Sequence, residues 1–321
     1  MARNLAFAAV AVAALCAVPF VASGSEYAIE VLFLIFLSGA MATAWNLLGG
    51  FAGQVSFGHA AFLGIGAYAT TIMISHGVSL WIAVPASALL AGSYSLVIGI
   101  PAFRLRGPYF SIATIGIGEA TRLIALNWTS LTGGASGLTL SSAPPLIVQY
   151  FAALALLVVA VGLAAWIKAS RFGFALAAVR QDTDAAETLG VATTIAKTQA
   201  LFLSACILGV AGSVYALHYL FISPDSVFGF STSIAFVIMP IIGGLGTVTG
   251  PLIGAVVYTF IREQLAATLA NADLLAFGVL LIAIVVFEPK GILGIVDRLR
   301  RVRTPSAPPA PGGTAAVTAD G

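Results

Sequence analysis

Three ionisable residues stand inside otherwise apolar stretches, and they are the first candidates for chemistry: His59, Glu119 and Arg122. A histidine in such a place can contact a substrate or respond to pH, or it can be a packed side chain bonded to a neighbouring helix. Glu119 and Arg122 are three residues apart, so they share a helix face and can form an ion pair. An intramembrane carboxylate could instead serve a proton relay, although pairing argues against that role.

The glycine cluster at 243–250 could suggest a phosphate cradle. It lacks the Gly-Lys-Ser/Thr that completes a nucleotide-binding loop, so no nucleotide site is predicted. The chain shows no catalytic constellation and no metal site. Cys16 and Cys206 each fall inside an apolar run and imply no disulfide framework. The net charge of +2 is too small to indicate nucleic acid binding.

The longest stretch that cannot lie in hydrocarbon is 168–190, which we call the polar segment. Its last part, from Asp182 to residue 189, predicts a short helix. Asp182 or Asp184 can cap it, and Asp184 with Glu187 has capping-box spacing, with Asp in the Ser/Thr place. Gly190 is well placed to end the helix in a left-handed conformation. The same pattern is also typical of a plain solvated surface turn, and spacing alone does not choose between the two.

Composition sets the class of protein. Hydrophobic residues make up 60% of the chain and charged residues 8%, with a mean hydropathy of +1.06. Soluble domains carry roughly 25% charged residues, so this is an integral membrane protein. Long continuous apolar runs predict helices and exclude a barrel, whose strands would alternate apolar and polar residues.

The fold class predicted is an all-α polytopic membrane protein with about ten transmembrane helices of roughly 20 residues each. The first apolar run could be a cleaved signal peptide or a retained span, and we favour the span. The transmembrane domain is predicted over 1–303, with a cytoplasmic loop at 168–192 and a disordered cytoplasmic tail at 304–321. The predicted spans are 1–23, 27–48, the glycine-rich 46–73, 78–103, 108–126, 146–166, 193–221, 228–242, 252–269 and 274–287.

Basic residues orient the spans. Arg3, the pair Arg104 and Arg106, the front of the polar segment and the cluster 298–303 would all lie on one side, which the positive-inside rule makes cytoplasmic. Both termini are therefore predicted to be cytoplasmic. The rule is silent at two turns without charge, 49–53 and 243–250, which we call the glycine turns.

Several separated motifs resemble those of the branched-chain amino acid ABC transporter permeases, the LivM-like inner-membrane subunits. They cover most of the chain between residues 46 and 291. Two departures are Asp184 where the family's loop has Glu, and Ser136 where relatives often carry Asp or Asn. The Ile-x-Leu-Pro that often follows the loop is also absent. The matching stretches are Asp184-Ala185-Ala186-x-x-x-Gly190, Asn46-Leu47-Leu48-x-Gly50-x-x-Gly53-Gln54-x-Ser56-x-Gly58-His59-Ala60-Ala61-Phe62, Arg106-Gly107-x-Tyr109-Phe110, Thr132-Gly133-Gly134-x-x-Gly137-Leu138 and Gly243-Gly244-x-Gly246-x-x-x-Gly250-Pro251-x-x-Gly254-Ala255.

The resemblance implies the ABC-importer permease fold in a bacterial inner membrane. It implies a second permease subunit, two cytoplasmic ATPases that bind the ATP, and a periplasmic substrate-binding protein. The chain itself would be no enzyme and would need no cofactor. The implied ATPase-coupling residues are Asp182, Asp184, Ala185, Ala186, Glu187 and Gly190. Candidates for the translocation pathway or its packing are Gln54, Ser56, Gly58, His59, Tyr109, Glu119 and Arg122, and the candidate outer loop holds Thr132, Gly133, Gly134 and Gly137.

Alternatives remain open. The substrate could be a branched-chain amino acid, or urea, an amide or an aromatic amino acid. A protein of another class, an ion-coupled secondary carrier, could use His59, Glu119 and Arg122.

Overall fold

The computed structural model describes residues 2–21, 25–268 and 291–294, and it is built almost entirely of helices. Within these ranges the only strands are two-residue pieces, β1 (Leu138–Thr139) and β2 (Phe221–Ile222), which pair antiparallel. The predicted all-α class is therefore confirmed. The helices in chain order are α1 (Ala2–Val21), α2 (Glu26–Asn46), α3 (Ala60–Ser75), α4 (Leu80–Ala102), α5 (Pro108–Asn127), α6 (Thr129–Thr132), α7 (Leu146–Ala169), α8 (Arg171–Gln181), α9 (Thr183–Thr188), α10 (Thr193–Tyr219), α11 (Pro224–Phe228), α12 (Phe230–Gly243) and α13 (Gly250–Thr268).

Five helical stretches in the described ranges are long and apolar enough to cross a membrane. Two shorter apolar helices, Ala9–Phe20 and Ala60–Ser75, accompany them. The predicted total of about ten is not reached there, and the predicted span 274–287, the basic cluster 298–303 and the tail 304–321 lie outside the described residues. The five are Glu26–Phe51, Leu80–Ala102, Leu146–Ala169, Thr193–Tyr219 and Pro224–Gly243.

The centre of the bundle is α10, which packs along α3 and α4, while α2 packs on α7, α10 and α13. Small residues allow this close approach: a Cβ built on Gly209 would lie 2.7 Å from the carbonyl oxygen of Ser87. The hydroxyl of Ser213 in α10 lies 2.6 Å from those of Thr70 and Ser87. Close packing and interhelical hydrogen bonds thus replace the hydrophobic effect, which cannot drive association between helices in lipid.

The connections separate into two faces. The polar segment lies at one face with both glycine turns. The 127–145 connection and the β1–β2 pair lie at the other, where the amide of Leu140 donates to the carbonyl of Leu220 at 2.7 Å. This alternation agrees with the order of spans that the sequence predicts. We call these the polar-segment face and the opposite face.

The glycine-rich stretch after α2 contains a break, as its glycine density predicts. Helix α2 continues as a π-helical turn, Leu47–Phe51, and the chain then runs without regular structure until α3 begins at Ala60. Phe62, in the first turn of α3, lines the same small cavity as Leu201 of α10. Leu201 lies about 12 Å from Thr193, the first residue of α10, at roughly 1.5 Å per residue. The irregular stretch 52–59 therefore rises from the polar-segment face to membrane depth.

Candidate functional site

The short helix α9 is built from local signals in the polar segment. Asp182 has an extended backbone, and its Oδ1 accepts hydrogen bonds from the amides of Asp184 at 2.9 Å and Ala185 at 3.1 Å. Asp182 is therefore the N-cap, the first of the two residues that the sequence offered. The capping box predicted between Asp184 and Glu187 is wrong, because Asp184 already lies inside the helix and both side chains bind elsewhere.

Gly190 closes the other end of α9. It has φ of +85°, as predicted for a left-handed helix end. Its amide donates to the carbonyl of Glu187 at 2.9 Å, and the amide of Val191 donates to the carbonyl of Ala186 at 3.0 Å. These two bonds form a Schellman motif, so a helix of only six residues has its terminal backbone groups partnered at both ends.

Side chains tie α9 to the rest of the bundle. Asp184 pairs with Arg106, from the connection before α5, at 2.8 Å. Both side chains are largely exposed, so this pair contributes at most about 1 kcal/mol. The Oγ1 of Thr193, at the start of α10, donates to Glu187. Two contacts thus hold α9, one to the connection before α5 and one to the first residue of α10, while the helix projects from the surface.

The outer surface of α9 ends in an apolar residue. Leu189, the residue directly after α9, is 83% exposed, whereas Ala186 within the helix is buried. The exposed leucine is available to contact another protein. The sequence analysis did not predict Leu189 as a contact residue, although a large apolar residue in a polar segment can be recognised from the sequence.

Arg180, the penultimate residue of α8, reaches the first glycine turn. Its Nη1 donates to the carbonyl oxygen of Gly50 at 2.7 Å, and a Cβ built on Gly53 would lie 2.9 Å from its Cγ. Gly53 has φ of +71°. Glycine at this position therefore serves both the backbone conformation and the passage of the arginine stem.

The second glycine turn is held against the first. The side chain of Asn46 donates to the carbonyl of Thr247 at 2.8 Å and accepts from the amide of Gly246 at 3.0 Å. A Cβ built on Gly50 would lie 2.8 Å from the amide nitrogen of Gly246. The two uncharged turns are therefore joined by backbone contact and an amide clamp, with Arg180 beside both. Neither Asn46 nor Arg180 was predicted as a site residue in its own right, because their partners are distant in the chain.

The irregular stretch 52–59 is stabilised by side chains from two helices, α2 and α5. The Nε1 of Trp45 donates to the carbonyl of Ser56 at 2.7 Å, and the hydroxyl of Ser111 donates to the carbonyl of Val55 at 2.7 Å. The amide of Phe57 donates to the hydroxyl of Thr114 at 3.1 Å. Non-helical backbone at membrane depth is tolerated only where protein or a polar cavity satisfies it, and here protein does.

Among the residues proposed for the pathway, Ser56, Gly58 and His59 come together in this packed stretch. His59 is fully buried, and its Nδ1 lies 2.9 Å from the hydroxyl of Ser56. A Cβ built on Gly58 would lie 2.6 Å from the carbonyl oxygen of Thr114. The structure therefore places His59 as a packed histidine. The backbone of Gln54 closes the turn after the π-helix, and Tyr109 is exposed in the first turn of α5.

Glu119 and Arg122 form the ion pair that their spacing predicts, at 2.5 Å. The guanidinium of Arg122 also pairs with Asp225 of α11. One cation thus binds two carboxylates and fastens α5 to the connection between α10 and α12. Both carboxylates are neutralised by the same arginine, which leaves little basis for a proton relay at this place.

The candidate outer loop builds a tight turn after α6. The hydroxyl of Thr132 donates to the carbonyl of Ala125 at 2.6 Å and accepts from the amide of Gly134 at 3.2 Å. Gly133, Gly134 and Gly137 all have positive φ. These residues set the course of the loop towards β1. In the described part of the chain, no cluster of three or more His, Cys, Asp or Glu side chains could hold a metal ion.

Comparison with known proteins places this sequence among transport proteins. A model of the family described as branched-chain amino acid transport system, permease component, matches residues 27–285. The high-affinity branched-chain amino acid transport system permease protein LivM of Salmonella typhimurium is 28% identical over 308 residues, covering 86% of this chain and 71% of LivM. LivH of Escherichia coli, a permease protein of the same system by name, is 26% identical over 289 residues, covering 79% of this chain and 90% of LivH.

A relative with another name is also similar. The autoinducer 2 import system permease protein LsrC of Escherichia coli is 29% identical over 260 residues, covering 75% of each chain. No solved structure matches the chain.

Proposed function

This chain belongs to the family of branched-chain amino acid transport system permease components, and we propose that it is the membrane-spanning permease subunit of an ATP-driven importer of branched-chain amino acids. The observation that carries the proposal is α9. It is short, exposed, capped at both ends by Asp182 and Gly190, and it presents Leu189 to solvent. Such a helix suits a cleft on a cytoplasmic ATPase.

The proposed assembly follows from this role. A second permease subunit completes the pathway, two cytoplasmic ATPases dock on the polar segments, and a periplasmic binding protein delivers substrate to the opposite face. ATP is bound by the ATPases, and this chain needs no cofactor and catalyses no reaction. It lies in the bacterial inner membrane with the polar-segment face and both termini in the cytoplasm, as Lys168 and Arg171 support.

Force from the ATPase reaches the spans through Arg180. A displacement of α9 moves α8, because Asp182 is both the end of α8 and the cap of α9. That displacement shifts the Arg180 guanidinium on the carbonyl of Gly50. The first glycine turn then carries the second with it through Asn46.

The test is uptake of leucine by proteoliposomes that contain the complete assembly. Uptake should require ATP on the side of the ATPases and should stop with a non-hydrolysable analogue. A preparation with ATP but without the binding protein is the control for delivery. Uptake driven by a proton or sodium gradient in the absence of ATP would overturn the proposal in favour of an ion-coupled carrier.

A further inference from the structure

A cavity of about 170 Å³ lies within the bundle, between α2, α3, α10, α12 and α13, with α11 at its rim. It is separate from α9, from the glycine turns and from the packed stretch around His59. Its walls divide into an apolar part and a polar part, and each has its own chemistry.

The apolar wall is formed by Met41, Leu63, Phe236 and Met239. Methionine side chains are unbranched and adaptable, so a wall of this kind accepts aliphatic groups of different branching. An engineered apolar cavity of roughly 150 Å³ in another protein admits benzene, so the space here suffices for an aliphatic side chain of similar size.

The polar wall carries hydroxyl groups that are open to a ligand. Ser38, Tyr215 and Ser231 line the cavity. In the part of the chain that the structure describes, the hydroxyls of these three residues make no hydrogen bond to protein. A hydroxyl both donates and accepts, so this wall can bind an ammonium group or a carboxylate oxygen.

One cation completes the lining, Arg262 of α13. It lies in the half of α13 nearer the opposite face, close to Tyr215 and Tyr219 of α10, and its side chain is exposed. It belongs to none of the ion pairs among the described residues. An arginine in a membrane-spanning helix is costly unless it faces a cavity, a partner or the interface, and Arg262 lines this cavity.

We propose that this cavity is a transit site for a zwitterionic amino acid with a branched aliphatic side chain. The proposal rests on the proposed function and names where in this chain the substrate pauses. Arg262 binds the carboxylate as a guanidinium fork, the hydroxyls of the polar wall receive the ammonium group, and the side chain lies against Met41 and Met239. Affinity should be weak, about 1 mM or more in dissociation constant, because a transit site must also release its ligand.

The experiment is protection of a cysteine by L-leucine in the complete assembly in proteoliposomes. Ser231→Cys is introduced after Cys16 and Cys206 are replaced by alanine, and its rate of reaction with a charged thiosulfonate is measured. At leucine twice the dissociation constant, labelling should slow about threefold, as 1 + [L]/Kd requires. Glycine should protect less, and leucinamide, which lacks the carboxylate, should not protect.

Variants then test the role of the charge. Arg262→Gln should abolish protection and Arg262→Lys should keep part of it, while Glu263→Gln, the adjacent control, should leave protection unchanged. Co-purification of the ATPase shows that each variant is assembled. Unchanged labelling at saturating leucine, equal protection by leucinamide, or full protection in Arg262→Gln would each overturn the proposal. Leucine uptake driven by ATP is measured in the same vesicles, so failure of the cavity and failure of the proposed function are told apart.

Discussion

The guanidinium of Arg180 donates from Nη1 to the carbonyl oxygen of Gly50 at 2.7 Å, joining residues 130 positions apart in the chain. Arg180 lies in the last turn of α8 in the polar segment, and Gly50 lies in the π-helical turn that ends the α2 span. A hydrogen bond from a charged donor is worth about 1.5–3 kcal/mol, more than the exposed pair between Arg106 and Asp184. This bond therefore contributes more to the attachment of the polar segment than the exposed ion pair does.

Arg180→Gln should uncouple the transporter without dissociating it. Glutamine lacks the reach and charge to hold the Gly50 carbonyl, so movement of α9 would no longer reach the glycine turns. We expect ATPase that still co-purifies but whose stimulation by loaded binding protein falls at least about tenfold, the equivalent of roughly 1.4 kcal/mol. Arg171→Ala is the matched control, because Arg171 is exposed at the other end of α8. Equal loss in both variants would refute a specific role for Arg180.

Gly190→Val should alter coupling through backbone strain alone. A Cβ at Gly190 meets nothing within 4 Å, so no clash contributes, but its φ of +85° is unfavourable for a β-branched residue. The strain, about 1–2 kcal/mol, is too small to unfold the bundle and large enough to tilt a six-residue helix. Stimulated ATPase activity should fall while membrane abundance stays normal. Gly190→Asn, which tolerates this conformation, should retain most activity, and full activity in Gly190→Val would contradict the role of this helix end.

Leu189→Asp should weaken binding of the ATPase. A leucine that becomes buried in a groove contributes about 1.5–3 kcal/mol, which corresponds to roughly a 10- to 150-fold change in affinity. The measurement is the dissociation constant of the isolated ATPase for the permease pair in detergent. Leu189→Met preserves the apolar contact and should bind nearly normally. Unchanged affinity for Leu189→Asp would show that this side chain stays exposed in the assembly.

Gly64→Leu should impair folding of the chain. A Cβ on Gly64 would lie 2.6 Å from Cζ of the buried Phe228 ring, so α3 and α11 could no longer pack closely. Membrane abundance and the Tm of the purified assembly should both drop. Gly162→Leu on α7 is the control, since a Cβ there meets nothing within 4 Å. Normal abundance and Tm for Gly64→Leu would mean that α11 moves away from α3 at no cost.

Local signals in the sequence were sufficient for some of these features. A helix start at Asp182 and a left-handed end at Gly190 depend on groups within a few residues, so spacing predicts them. The pair between Glu119 and Arg122 follows from one helix face in the same way. The predicted capping box is absent because Asp182 takes the N-cap position, while Asp184 pairs with Arg106 and Glu187 accepts from Thr193.

The sequence by itself determined that this chain is a helical membrane protein with one polar segment, because apolar run length and sparse charge decide what hydrocarbon accepts. It also determined the family, through motifs contiguous in the chain. Only the tertiary structure decided that Arg180 and Asn46 join two uncharged turns, that His59 is packed, and that Arg262 faces a cavity. Each of these depends on contacts between helices that are far apart in the sequence. Hydropathy cannot predict such contacts, because a residue type has the same hydropathy whether or not its side chain meets a neighbour.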